Sequence, residues 1–394
     1  MAPRPSSIST FRAVVVGAGA VAAGAAVALG AIELGMRAVS YGSVSTLAYG
    51  RANYNHDLPE LGYAGRPYAH GIQSNEGVSE IALNSHGFHD VEHSRAKPPG
   101  VFRLMVVGNS YTMAIQVALK DGYVAQLGDA LKECPALAGR QIETINLGVD
   151  GYTIHQQYLL LRDYGLSLKP DFVLLQTNSF VVPGDLDPTR NLSPRLERGP
   201  DGKTRIDYAY KDTPQFKAKS SAFAAWLQRL SDHSRLIQYA IQYRRIAREE
   251  AAEADTPKGE PKIDPAVYRS FQQGRDLAFD EMAATLRNRD IPFAVTIVPD
   301  ADGESNKPIG PEPIRNEWRQ LAQKAGAPFF DVEKEARARV RATGADLHGF
   351  GANAGFGHLN RTGNAFFGKA LAARICPMLG GEHSASLAPT AAAQ

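Results

Sequence analysis

The chain has 394 residues, 44% apolar and 21% charged, with 43 Lys plus Arg against 41 Asp plus Glu and a formal net charge of +2. This is a globular composition, long enough for one large domain or two smaller ones. The even charge, without a clustered basic-aromatic stripe, argues against a nucleic-acid partner. Cys134 and Cys376 lie far apart with no metal-like neighbour at short spacing, which argues against a zinc site. No cofactor is implied.

The N-terminus carries the strongest compositional signal. Residues 13–32, AVVVGAGAVAAGAAVALGAI, hold no charge until Glu33. Such a run is long enough to span a bilayer as one helix, so a transmembrane helix or signal anchor is expected at 13–34. Arg4 and Arg12 precede it, so residues 1–12 belong in the cytoplasm and the rest on the periplasmic or extracellular side. A cleaved signal peptide is the alternative. Gly17, Gly19 and Ala22 mimic a dinucleotide-binding spacing, but no polar helix face and no acid at the end of a next strand accompany them. Small residues in a membrane helix account for them better.

Residues 40–100 are rich in Gly, Tyr, Asn, His and Pro and read as an extended lead-in. From 101 to 378 the rhythm is α/β. FRLMVV (102–107), QIETINL (141–147), DFVLLQ (171–176), IPFAVTIV (291–298) and APFFDV (327–332) read as strands. Helical spacing occupies 122–134, 153–165, 266–288, 312–325 and 361–377. Strands alternating with helices of this length predict a three-layer α/β/α sandwich around a five-stranded, mostly parallel sheet. Reactive groups of such sheets gather beyond the carboxyl ends of the strands. Residues 180–263 form an insertion, in which 221–254 reads as one or two amphipathic helices. Their apolar stripe, including Phe223, Trp226, Leu230 and Ile237, is expected to pack on the core sheet, with a cap over the active site as the alternative. TPKGEPK (256–262) reads as a flexible loop, and 380–394 as a disordered tail.

Four segments fall at strand ends or open the last helix: Gly108-Asn109-Ser110-Tyr111-Thr112, NLGVDGYT (146–153), the turn at Asn178, and GFGHLNRTG (355–363). Singly, each has a plain structural explanation: Ser110 as a helix N-cap, Asn178 in an Asx turn. Together and in this order they resemble the four blocks of the SGNH, or GDSL-type, hydrolases. The lead-in ELGYAGRPYAHG…IALNSHGFHD (60–90) resembles the stretch preceding the domain in membrane-anchored bacterial members. The resemblance implies Ser110 as nucleophile and His358 as its base. It also implies an oxyanion hole made of the Ser110 and Gly148 backbone N–H groups and the Asn178 side-chain amide. The implied activity is hydrolysis of acyl esters, acetyl esters among them, on carbohydrate or cell-envelope material. Acyl transfer to an envelope polysaccharide and a non-catalytic binding protein on a degenerate fold are the alternatives. In such a sheet the first and last helices share a face, so Cys134 and Cys376 are candidates for a disulfide outside the cytoplasm.

Three positions depart from the family's pattern, each by loss of an acid. Asn109 stands for the Asp of Gly-Asp-Ser, Ser179 for the Asp after the third-block Asn, and Gly355 for the Asp three residues before the histidine. The last would orient His358. Three outcomes are open: a Ser–His dyad held by a carbonyl or water; another acid reaching in, Asp346 first and Asp185 or Asp187 second; or a pocket without turnover. His348 reads as a loop residue. Asparagine at 109 is nearly isosteric with aspartate and is expected to keep the turn.

Overall fold

The structure, a computed structural model, describes residues 7–42, 55–56, 60–73, 76–179, 186, 192–254, 264–300 and 314–380. Helix α1 (Ser7–Gly42) contains Val14–Ala38, a stretch of mean hydropathy 2.1 that is long and apolar enough to cross a membrane and that is left unburied among the described residues. Two antiparallel pairs follow: β1 (Asn55–His56) with β2 (Ala64–Gly65), and β3 (His70–Gln73) with β4 (Ser79–Ala82).

The α/β core begins at β5 (Val101–Gly108), which runs into the short helix α2 (Ser110–Met113) and then α3 (Tyr123–Leu131). After it come β6 (Gln141–Gly148), α4 (Ile154–Asp163) and β7 (Phe172–Thr177). The insertion holds a hairpin, β8 (Arg195–Arg198) and β9 (Thr204–Asp207), then α5 (Pro214–Lys219), α6 (Ala222–His233) and α7 (Arg235–Ala254). The chain returns through α8 (Pro265–Arg287), β10 (Phe293–Ile297), α9 (Ile314–Lys324), β11 (Phe329–Asp331), α10 (Glu333–Thr343) and α11 (Arg361–Gly380).

The five core strands are all parallel, in the order β11-β10-β7-β5-β6. Their near-continuous apolar runs follow from burial on both faces. Side chains alternate along each strand. Met105, Val107, Val173, Leu175 and Val295 join one core layer, with residues of α4, α8 and α9. Phe102, Leu104, Val106, Phe172 and Leu174 join the other, with residues of α3 and α11. Fully burying such a side chain stabilises the fold by about 1.5–3 kcal/mol. The chain leaves β5 for β6 on one side and then crosses to β7 on the other, so the strand order switches at β5. The crevice beyond its carboxyl end is where this fold receives ligands.

Three features differ from the sequence reading. Helix α10 was not anticipated, because EKEARARVRAT shows no apolar stripe and buries only Ala336. The lead-in, read as extended, carries β1 to β4 and is bonded to the α/β core. The Tyr63 hydroxyl donates to the Asp150 carbonyl at 2.7 Å, Gln156 Nε2 donates to the Leu61 carbonyl at 2.8 Å, and Asp90 Oδ2 accepts from the Asn146 N–H at 2.7 Å. The stripe on α6 does not pack on the sheet either: Phe223, Trp226 and Leu230 are exposed, and α7 lies against α1 and α6. The loop 256–262, Asp185, Asp187 and the tail 381–394 lie outside the described residues.

Cys134, just beyond α3, and Cys376, within α11, form a disulfide across a sequence separation of 242. A crosslink closing so long a loop restricts the unfolded chain strongly. Replacing both cysteines by serine should lower unfolding stability by about 2–5 kcal/mol, read as a reduced urea midpoint, with a steeper slope because the uncrosslinked unfolded chain exposes more surface. An unchanged midpoint would contradict the bridge.

Candidate active site

Residue placement starts at the β5–α2 turn. Asn109 is the N-cap of α2, and its Oδ1 accepts from the Tyr111 N–H at 3.1 Å. The turn that an aspartate would hold is thus held by the amide. Ser110 is the first helical residue, and the first N–H groups of a helix have no intrahelical partner.

Behind this turn stands Gln176, fully buried at the end of β7. Its Oε1 accepts from the Asn109 N–H at 3.2 Å and the Thr112 hydroxyl at 2.9 Å. Its Nε2 donates to Asn178 Oδ1 at 3.0 Å. That last bond fixes the Asn178 amide with its carbonyl toward Gln176 and leaves its NH2 as the outward donor. Asn109 and Asn178 line one pocket together with Tyr152, Thr153, Phe271 and Trp318.

His358 meets Ser110 from the loop before α11. Its Nε2 lies 2.8 Å from Ser110 Oγ. Its Nδ1 lies 2.5 Å from Glu76 Oε2, and its backbone N–H donates to Glu76 Oε1 at 2.5 Å. A carboxylate accepts only, so Nδ1 carries the proton and Nε2 presents its lone pair to the serine hydroxyl. The Tyr111 ring lies against the imidazole at a centroid distance of 4.7 Å. The loop is pinned by the Gly357 carbonyl, which accepts from the Tyr111 hydroxyl at 3.1 Å and faces His348 Nδ1 at 2.8 Å. His348 is itself buried, with Nε2 2.8 Å from the Pro299 carbonyl.

The acid beside His358 is therefore Glu76, in the β3–β4 turn, and not Asp346. The Asp346 carbonyl accepts from Asn360 Nδ2 at 2.9 Å, and Glu76 occupies both the imidazole Nδ1 and the His358 N–H. Sequence reasoning missed Glu76 because it lies 282 residues from His358, at no motif spacing. A faint signal exists at Gly357. A Cβ there would come within 1.9 Å of Glu76 Oε1. Gly357 also has φ of +85°, a conformation that favours glycine.

Partial burial pushes the Glu76 pKa up, but the hydrogen bonds and charge of His358, with a lesser contribution from His348, more than offset this and hold it below the ordinary 4.5. His155, which lines the same pocket, is driven down to about 3, first by burial and then by the Arg195 charge. Its Nδ1 accepts from the Leu196 N–H at 3.1 Å, so it is a neutral structural histidine.

The backbone N–H of Gly148, expected as an oxyanion donor, is engaged within its own strand, donating to Asn146 Oδ1 at 2.9 Å. The missing Cβ of Gly148 is explained by packing, since one would fall 2.2 Å from the Met113 nitrogen of α2. The acid absent at 179 has a counterpart as well: Ser179 Oγ donates to Asp300 Oδ1, and Arg315 bonds Asp300 Oδ2 at 3.0 Å. No group of three or more His, Cys, Asp or Glu is placed to hold a metal ion among the described residues.

The sequence matches no protein-family model and no curated protein. Among solved structures, the chain is similar to an acetyl xylan esterase at 18% identity, over 70% of this chain and 100% of that one, with a TM-score of 0.36. It is similar to a G-D-S-L family protein from Desulfitobacterium hafniense at 16% identity, over 69% and 98%, with a TM-score of 0.34. It is also similar to a catalytic mutant of an acetylxylan esterase from Geobacillus stearothermophilus at 12% identity, over 73% and 98%, with a TM-score of 0.35. Likeness at this level does not speak to activity, which has to be read from the residues of this chain.

Two outcomes test the geometry. Because the folded-state pKa of Glu76 is lowered, its ionised form stabilises the fold above about pH 4.5, and that contribution is lost as pH falls through the lower folded-state value. The Tm advantage of the wild type over Glu76→Gln should therefore be widest above pH 4.5 and shrink in acid. A pH-independent difference would contradict it. Gly357→Ala should displace the Glu76 carboxylate. A crystal structure of that variant retaining the Glu76–His358 bond unchanged would count against the steric account.

Proposed function

We propose that this chain is a serine ester hydrolase of the SGNH kind, held at a membrane by α1 with its catalytic domain outside the cytoplasm. The observation that carries the reading is the unbroken chain from Ser110 Oγ through His358 to the Glu76 carboxylate. A serine hydroxyl is a weak nucleophile until an adjacent base takes its proton.

In the proposed reaction Ser110 Oγ attacks the ester carbonyl carbon while His358 Nε2 takes its proton. Glu76 holds the ring in the required tautomer and stabilises the imidazolium that forms. The tetrahedral oxyanion is met by the Ser110 N–H and the Asn178 NH2. Gly148, whose N–H is engaged by Asn146, is left out of this set. Collapse of the intermediate transfers the proton from His358 to the departing alcohol. Water, deprotonated by His358, then releases the acid. Each fixed donor of this kind is worth about 100–1,000-fold in rate.

The substrate we propose is a small acyl ester, acetyl first, on carbohydrate or cell-envelope material. The pocket beside Asn109 and Asn178, with its mixed aromatic and polar lining, supports a sugar-bearing ester. The disulfide supports an oxidising compartment. The Arg4 and Arg12 bias supports a cytoplasmic N-terminus.

The test is fluorophosphonate labelling and p-nitrophenyl acetate turnover of the wild type and Ser110→Ala. The proposal expects labelling and turnover in the wild type and a loss of about four orders of magnitude or more in the variant. Equal rates, or no labelling of the wild type, would sink it. Acyl appearing on an added sugar acceptor would assign transfer rather than hydrolysis to the same acyl-enzyme.

A further inference from the structure

The uncharged run of α1, residues 13–32, ends at Glu33, the first charge after residue 12. The Glu33 side chain leaves its own helix and caps another. Its Oε1 accepts from the Arg235 N–H at 2.9 Å, and its Oε2 accepts from the Leu236 N–H at 3.0 Å and the Ser234 hydroxyl at 2.9 Å. Arg37 Nη2 donates to the His233 carbonyl at 2.5 Å, and Arg37 Nε bonds Glu33 at 2.7 Å. A carboxylate on the first N–H groups of a helix satisfies unpaired donors and complements the helix dipole. The elbow between α6 and α7 is thereby tied to one level of α1, the level at which the uncharged run stops.

A helix rises about 1.5 Å per residue, so about twenty apolar residues fill a hydrocarbon core of about 30 Å. With residues 13–32 inside, Glu33 and the elbow it caps lie at the membrane–water boundary. The face that α6 leaves uncovered fits that level. Phe223, Trp226 and Leu230 recur at helical spacing and are 68%, 54% and 37% exposed. The rings of Phe223 and Trp226 lie 5.7 Å apart, and Arg229, three residues after Trp226, is exposed. On α7, Tyr239 and Tyr243 are also exposed, their rings stacked 6.4 Å apart. Trp and Tyr favour the headgroup level, where an apolar ring body and a polar edge are both accommodated.

We propose that α6 and α7 form an interfacial platform. The Phe223-Trp226-Leu230 stripe enters the headgroup–acyl boundary of the bilayer that α1 crosses, and the Glu33 cap sets its depth. The occupant of the stripe is lipid because the elbow is fixed to the end of the membrane segment. The platform holds the catalytic domain at a set distance from the membrane surface, which suits an ester borne on material attached to or lying on that surface. This inference rests on α1 spanning the membrane, as in the proposed function.

The full chain is reconstituted in phosphatidylcholine vesicles with and without brominated acyl chains, and tryptophan emission is compared. The other tryptophan, Trp318, is buried in the core and gives a constant background. The inference expects a bromine-dependent loss of emission in the wild type and none in Trp226→Phe. A second reporter, Val27→Trp made in the Trp226→Phe chain, reads α1 alone. If that reporter is quenched and Trp226 is not, the platform is overturned while the membrane span stands. If neither is quenched, both are overturned.

Discussion

The bond between His358 Nδ1 and Glu76 Oε2 is the contact on which the site depends. Without an acceptor at Nδ1 the ring is free to rotate and to hold the wrong tautomer, and in the proposed reaction the proton leaving Ser110 would have no stabilised destination. Glu76 accepts from both the ring and the backbone N–H of the same residue, so it fixes the orientation of His358 and the position of its loop together. Several other features follow from this pair. Gly357 is bare because the carboxylate occupies the space a side chain would need. The Gly357 carbonyl is turned toward Tyr111 and His348, which pins the loop from behind. The β3–β4 hairpin must dock on the α/β core to deliver its acid, and the bond from the Ser79 hydroxyl to the Ile115 carbonyl holds it there.

The same arrangement recurs at the third strand. The acid expected beside Asn178 is a serine, and the serine bonds Asp300, beyond β10. At both places the acid comes from another element: Glu76 at His358 and Asp300 at Ser179. Asn109 is different: its acid is not replaced, because a neutral amide still caps α2. What the turn beside Ser110 requires is an acceptor, and an amide oxygen supplies one as well as a carboxylate does.

Strands and helices that carry an apolar period were legible in the sequence. FRLMVV and DFVLLQ have to be buried strands, and their loops have to meet at the sheet's carboxyl edge. Helix α10 was not legible, because charged side chains such as Arg337 and Glu333 cover it in place of an apolar stripe. Ser110 and His358 were visible as candidates because short segments flank them. Glu76 was not, since a single acid in a hairpin turn has no local signature and its role is set by tertiary docking. The choice of Asp346 rested on nearness in sequence, which a loop held by Asn360 and His348 does not honour. Gly148 misled for a related reason. A glycine at a strand end reads as room for a ligand, whereas here the room is filled by the last residues of α2, Thr112 and Met113.

The central claim is that Glu76, and no other acid, serves His358. Chemical rescue tests it most directly, because truncating the side chain leaves a carboxylate-sized space against Nδ1. The measurement is kcat/KM of Glu76→Ala with and without added formate, beside Asp346→Asn. The account predicts that Glu76→Ala is crippled and partly restored by formate, and that Asp346→Asn keeps wild-type activity. Full activity in Glu76→Ala, or a comparable loss in Asp346→Asn, would contradict it.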